Sequence, residues 1–353
     1  MRHVIVRHDP GMFYAWPANC GIWSWGEEIA VGFTRGTYRE QTKNHSVDDE
    51  APQVCVIARS LDAGESWQLE EPGNFPEGPA FGEKQPDDPA VPLESPIDFT
   101  HTDLAIRCRR GQLLVSLDRC RSWAGPYKLT GVDPGGVLTS RTDYHVLGQY
   151  EALFFVSYRP ESMASTSLPD RALVIRTPDG GMTFEPLSVM LPEAADTRSV
   201  MPSTVMLPSG KLVSALRRRS DEGSQQCWVD VVESADDGAS WRYLSRVAAT
   251  QDPQMSRNGN PPSTVLLGDG RLVVVYGYRA QARSGIRARV SADEGQTWGD
   301  EIILRDDART WDIGYPRAAV RADGKIVSTY YFTTDAHREQ HIAATIWDPD
   351  DDA

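Results

Sequence analysis

Four arginines stand in matching places along a strongly acidic chain, each beside an Asp, Asn or Tyr. They are Arg141 in Arg141-Thr142-Asp143-Tyr144, Arg198 in Asp196-Thr197-Arg198, Arg257 in Arg257-Asn258-Gly259-Asn260, and Arg317 in Asp312-Ile313-Gly314-Tyr315-Pro316-Arg317. A lone arginine at a strand end extends its head to solvent or pairs with a nearby Asp. Four in equivalent positions, in a chain of formal net charge -14, ask for a shared anionic partner. The planar guanidinium fork bonds a carboxylate or sulfate through two parallel N–H groups, and an acidic sugar presents that group. Tyr315 in the same run is a nucleophile or proton-transfer group if its proton is removed and the cations lower its pKa. Asp143 and His45 are the acid/base candidates, the histidine because its charge changes near neutrality. Asn260 is placed to orient sugar hydroxyls, and Cys20, in Asn19-Cys20-Gly21, opens the matching segment near the N-terminus.

What brings these segments together is a repeat. A phrase of the form Ser/Thr-x-Asp-x-Gly-x-Ser/Thr-Trp/Phe starts at Ser60, Ser116, Thr177, Ser234 and Ser291, at intervals of 56, 61, 57 and 57 residues. A period in that range marks a repeat architecture. Each phrase reads as a β-hairpin turn: the Asp carboxylate accepts backbone N–H groups, the Gly permits positive φ, and the aromatic packs between units. The second copy carries Cys120 in place of the Gly, so its turn is expected to be strained or differently built. Upstream of the phrases, Pro202-Ser-Thr-Val-Met-Leu-Pro-Ser-Gly matches Pro262-Ser-Thr-Val-Leu-Leu-Gly-Asp-Gly, and Tyr315-Pro-Arg-Ala-Ala-Val-Arg-Ala-Asp-Gly is a third version. Strand, Gly turn, strand, strand, Asp turn, strand makes a four-stranded blade.

Counting blades predicts an all-β, six-bladed β-propeller. The last blade is one strand short, and His3–Arg7 supplies it, leaving no open edge. A seventh blade in the stretch 70–96 is the alternative, and blade two is irregular, with one clear strand (Leu104–Cys108) before its hairpin. In this topology the Gly turns and Asp turns share the back face. The front is formed by the starts of the first strands, which carry the four arginines, and by the loops between second and third strands. Those loops add His45, Arg159, Arg217, Arg219, Tyr278, Arg279 and His337.

A closed propeller spans residues 1–353 as one domain, with 70–96 as a long loop within reach of the mouth. No apolar run approaches 18 residues, and the N-terminus lacks the apolar core of a signal peptide. Five cysteines without metal-like spacing read as free thiols, so a cytoplasmic location is expected. The negative charge argues against nucleic-acid and anionic-membrane partners. No nucleotide, zinc or calcium motif occurs, so no cofactor or metal is expected.

The recurring phrase is similar to the Asp box of the sialidase superfamily and related propellers. The resemblance implies that Arg198, Arg257 and Arg317 correspond to the arginine triad that holds a substrate carboxylate, and that Tyr315 corresponds to the sialidase nucleophile. The Arg-Ile-Pro of sialidases is replaced here by Trp16-Pro17-Ala18-Asn19-Cys20-Gly21-Ile22-Trp23. That text, with Arg141-Thr142-Asp143-Tyr144 and Gly314-Tyr315-Pro316-Arg317, resembles a sialidase-like branch containing rhamnosyl-glucuronate hydrolases and uronate lyases. Several members of that branch carry His where this chain has Cys20. The resemblance implies an exo-glycosidase acting on an acidic oligosaccharide, with a uronate lyase or an inactive glycan-binding propeller as alternatives. Arg141, Arg198, Arg257 and Arg317 would bind the anion, with Asn260 and Cys20 lining the pocket. Tyr315, Asp143 and His45 would carry the chemistry.

Overall fold

The computed structural model describes residues 1–72, 90–133, 135–139, 141–163, 168–191, 197–222, 224–255 and 258–351. Six antiparallel sheets form, one per blade. Blades four and five are regular. Blade four runs through Thr197–Met206, Leu212–Ser220, Gln226–Ser234 and Arg242–Ala249; blade five through Ser263–Leu266, Leu272–Tyr278, Gly285–Ser291 and Ile302–Arg305. Blade six has Gly314–Val320, Ile326–Phe332 and His341–Trp347, and Arg2–Arg7 pairs antiparallel with the last of these. The two chain ends thus close the ring, as the missing strand required.

The other blades depart from the ideal at their inner strands. In blade one the inner strand comes in two pieces, Met12–Ala15 and Gly21–Trp25, both paired with Glu28–Thr37 and separated by the short helix Pro17–Cys20. In blade three, Gly136–Leu138 and Tyr144–Val146 both pair with Ala152–Pro160, and Arg141 to Asp143 bulge between them. Blade two is a three-stranded sheet of Ala105–Arg109, Gln112–Ser116 and Ala124–Lys128. Of the stretch expected to form a long loop, 73–89 lie outside the described residues. Its described end, 90–96, leads to Ile97, whose N–H donates to Gly180 O in the third Asp turn at 2.8 Å.

All five Asp turns share one hydrogen-bond pattern. In the first, Asp62 accepts the Ser66 N–H at 2.8 Å and the Ser66 hydroxyl at 2.6 Å, while Ser60 Oγ accepts the Gly64 N–H at 2.7 Å. The second turn keeps this pattern, with the Cys120 N–H on Ser116 Oγ at 2.9 Å, by holding Cys120 in the left-handed region at φ 68°. The missing glycine is therefore met by strain of about 1–2 kcal/mol, not by a different turn. Between blades the core is apolar and dry: Phe13, Phe33 and Val56 of blade one pack with Val327, Tyr331 and Ile342 of blade six, all at 2% exposure or less. Each such burial contributes about 1.5–3 kcal/mol.

Candidate functional site

At the axis, three inner segments do something L-residues avoid. Trp16, Met201 and Tyr315 take left-handed φ values of 61°, 56° and 49°, and each immediately precedes a proline. Strand pairing slips by one residue around Met201 (between Val200 and Ser203) and around Tyr315 (between Gly314 and Arg317). The extra residue re-aims the side chain. From blades one, four and six, Trp16, Met201 and Tyr315 then meet in one buried cluster with Tyr331. Strain held by the surrounding structure at such points is characteristic of functional sites.

Tyr315 is the centre of the upper layer. Arg217 Nη1 donates to its hydroxyl at 3.1 Å, and the guanidinium lies 5.6 Å from the ring centroid. Burial pushes a phenol pKa up, but Arg217, Arg279 and Arg198 outweigh it and hold Tyr315 below the usual tyrosine value. Its backbone N–H donates to Asn260 Oδ1 at 2.9 Å. Arg198 and Arg219 stand at the rim, both donating to Asn258 Oδ1, at 3.2 and 2.6 Å. Burial and then Arg217 draw the Arg198 pKa down to about 10, while Asp170 lies 3.8 Å from Arg198 and Asp221 pairs with Arg219 at 2.7 Å.

Tyr331, whose ring centroid lies 6.1 Å from that of Tyr315, belongs to a chain of hydrogen bonds. Arg279 Nη2 donates to the Tyr331 hydroxyl at 2.9 Å, and that hydroxyl donates to Asp312 Oδ1 at 2.7 Å. The same oxygen meets His45 Nδ1 at 2.6 Å, while Asp312 Oδ2 accepts the Ser46 N–H and Gln340 Nε2, both at 3.1 Å. Burial would raise the Asp312 pKa, yet His45, Arg279 and Tyr331 hold it below the ordinary carboxylate value. Tyr331 is driven well up by burial and Asp312, so it keeps its proton. His45 sits in an aromatic bracket, 5.1 Å from Trp16 and 5.8 Å from Trp311 by ring centroids, with 33% of its side chain exposed. A partly exposed histidine backed by a buried carboxylate has the geometry that acid/base chemistry requires.

A second layer is built from Arg317, Arg141 and Asp143. Arg317 donates through Nη2 to Ala18 O at 3.0 Å and to Thr142 O; Arg141 Nη2 donates to Pro262 O at 3.1 Å. Asp143 stands between them in charge, and burial pushes its pKa up to about 7 against the pull of Arg317 and Arg141. Its Oδ2 accepts the Thr204 N–H of the next blade at 3.1 Å. Ser203 and Ser263 do the same for the following blades, accepting Thr264 N–H at 2.8 Å and Ala318 N–H at 3.0 Å. Asp143 is thus one latch in a ring of inter-blade hydrogen bonds.

The structure therefore divides the residues read from sequence. Tyr315, His45 and Arg198 gather in the upper layer; Arg141, Arg317 and Asp143 gather in the lower one. Arg257 lies outside the described residues. Asn260 is fully buried, its Oδ1 bonds the Tyr315 N–H, and a Cβ at Gly314 would come within 2.0 Å of that oxygen, so it fixes the backbone that carries Tyr315. Cys20 is buried behind the axis, its Sγ 3.9 Å from Cys55 Sγ and 3.6 Å from Arg107 Nη2. Among the described residues no metal-binding cluster of His, Cys, Asp or Glu occurs. Reasoning from the inner strands alone missed Arg217, Arg279 and Asp312 as site residues. The first two had been placed on the front-face loops, and the third opens the Tyr315 run, so topology contained the signal.

Comparison with known proteins places this architecture. The BNR repeat-like domain matches residues 105–327. Among solved structures, a protein of unknown function from Dyadobacter fermentans DSM 18053 overlays with a TM-score of 0.69 at 20% identity, covering 98% of this chain and 97% of that one. The GH93 α-L-arabinofuranosidase of Fusarium graminearum, solved with arabinobiose, gives 0.60 at 10% identity, covering 97% and 94%. The Penicillium chrysogenum α-L-arabinanase, also with arabinobiose, gives 0.59 at 11%, covering 98% of each chain. No curated protein matches the sequence.

Proposed function

This chain belongs to the BNR repeat-like family of sialidase-superfamily β-propellers, and from that premise we propose that its front mouth is the active site of a glycoside hydrolase acting on an acidic glycan. One observation carries the reading: the Tyr315 phenol, bonded by Arg217 and held below its usual pKa by Arg217, Arg279 and Arg198, packs 6.1 Å by ring centroids from Tyr331, whose hydroxyl donates to the Asp312 that pairs with His45. Support of a coarser kind comes from the arabinofuranosidase and arabinanase propellers, which this chain overlays along nearly its whole length.

The steps follow from the chemistry of the groups. Arg198 and Arg219 at the rim grip the substrate carboxylate, joined by Arg257 on the sequence reading. Tyr315 first loses its proton to solvent, and its phenolate oxygen attacks the anomeric carbon as the bond to the leaving oxygen breaks. That oxygen takes its proton from His45 Nε2, and Asp312 stabilises the imidazolium before the transfer. Water then attacks the anomeric carbon, gives its proton back to His45, and releases Tyr315 and the free sugar. Arg217 and Arg279 stabilise the phenolate each time it forms.

A second reading rests on the same pairing. A histidine backed by Asp312, a tyrosine and a carboxylate-neutralising arginine also suit β-elimination from a uronate. Product analysis separates the two. A panel of sialylated, rhamnosyl-glucuronate and uronate oligosaccharides, read by mass spectrometry and ultraviolet absorbance, should yield a released sugar without new absorbance. An unsaturated product would move the site to the lyases, and silence across the panel with folded protein would favour a glycan-binding role.

A further inference from the structure

The lower layer holds two buried guanidiniums with too little to bond. Arg141 is 2% and Arg317 7% exposed. Arg141 Nε and Nη1, and Arg317 Nε, have no hydrogen-bond partner among the described residues, and neither arginine is in an ion pair there. The Nη2 groups of both donate to neutral carbonyls, Arg141 to Pro262 O and Arg317 to Ala18 O and Thr142 O. Each buried cation opposes the other, since burial first and Arg317 second depress Arg141. Burying charge in this way costs several kcal/mol per ion unless a counter-charge meets it.

Asp143 supplies only part of that counter-charge. It contacts neither guanidinium at ion-pair distance, being spent instead on the Thr204 N–H. The Asn260 Nδ2, fully buried and without a partner among the described residues, adds another donor near the axis.

We infer that the buried guanidiniums of Arg141 and Arg317, brought together where Arg317 bonds Thr142 O between Arg141 and Asp143, bind one small monovalent inorganic anion of the halide class, separate from the substrate carboxylate held at the rim. Small size follows from the depth of burial of both arginines, and single charge from the balance of two cations against one carboxylate. The anion would screen the two arginines from each other and fix the carbonyls of Ala18 and Thr142, and with them the floor beneath Tyr315. Asp143 faces Arg141 on its own segment, Arg317 from blade six and Cys108 from blade two, while Tyr315 and Arg217 complete the charged groups around Arg141.

The test needs no turnover, so its failure is distinct from failure of the proposed reaction. Thermal unfolding is followed while sodium chloride or bromide replaces sodium gluconate at constant ionic strength, at pH 6 and pH 8. A saturable rise in midpoint is expected, with half-saturation at about tenfold lower halide at pH 6, because an anion binds best when Asp143 is protonated. Asp143→Asn should bind equally well at both pH values, and Arg141→Gln should lose the effect. Should Arg141→Gln not fold, chloride-35 NMR line broadening of the wild type against Asp143→Asn gives the same comparison. A non-saturating effect, or the wild-type pH dependence persisting in Asp143→Asn, would overturn the site. Stoichiometric displacement of chloride by glucuronate or sialate would overturn its separateness and return the pair to the substrate carboxylate.

Discussion

Replacing Asp312 with Asn tests the hydrogen-bond chain at its most constrained point. The carboxylate is 2% exposed and accepts four bonds, from His45 and Tyr331 on one oxygen and from Ser46 N–H and Gln340 on the other. An amide has one acceptor oxygen, so whichever way it turns its NH2 faces two donors. Breaking a buried charged pair costs about 3–5 kcal/mol; the low end, about 3 kcal/mol, is expected because His45 is one-third exposed and its bond is screened. The imidazolium also loses its stabiliser, so turnover should fall about 10²–10⁴-fold, the range for a lost acid/base contribution. A pH signature accompanies this. The Asp312 pKa is depressed in the folded chain, so its stabilisation is complete above the unfolded carboxylate value of about 3.9 and fades as pH falls through the folded one. Urea unfolding at pH 7 and under progressively acid conditions should therefore show the gap between wild type and variant narrowing with acid. A variant with a near-normal rate, an unchanged pH–rate profile and a constant gap would refute the role of Asp312.

Other outcomes follow from single contacts. Tyr315→Phe removes only the hydroxyl held by Arg217, so turnover should fall on the order of 10³-fold or more while the unfolding midpoint moves little; a rate near wild type would remove Tyr315 from the chemistry. Gly314→Ala places a Cβ 2.0 Å from Asn260 Oδ1 at φ +112°, which should displace Tyr315 and lower kcat more than it raises KM. A crystal structure of that variant with Tyr315 unmoved would contradict this. Deleting residues 1–7 strips the outer strand from His341–Trp347 and bares a sheet edge; a lowered urea midpoint and self-association are expected, and an unaffected monomer would show that the clasp is dispensable.

The blade pattern was legible in the sequence because its turns are local chemistry. An Asp, a Gly and two hydroxyls within eight residues dictate their own hydrogen bonds, as Asp62 and Ser60 illustrate. Closure by the N-terminal strand followed from counting. The site was legible only as a face. Tyr315 and Arg198 could be found because they open inner strands, but the bulges at Met201 and Tyr315 each add a residue to an inner strand. Periodicity alone carries no sign of such a slip. Nor could spacing pair His45 with Asp312, 267 residues apart in the chain, or show that Asn260 is spent on the Tyr315 N–H. Cys120 was flagged as anomalous, and the turn kept its geometry because hydrogen bonds to Ser116 and Asp118 hold the strained backbone.

The most direct test of the central claim is to catch the sugar on the enzyme. A single-turnover reaction with an acidic oligosaccharide, quenched in acid and digested, is read by peptide mass. The account predicts a transient glycosyl adduct on the peptide bearing Tyr315, lost in Tyr315→Phe and decaying as free sugar appears. Release of free sugar with no adduct at any time, or an adduct on a different residue, would contradict it.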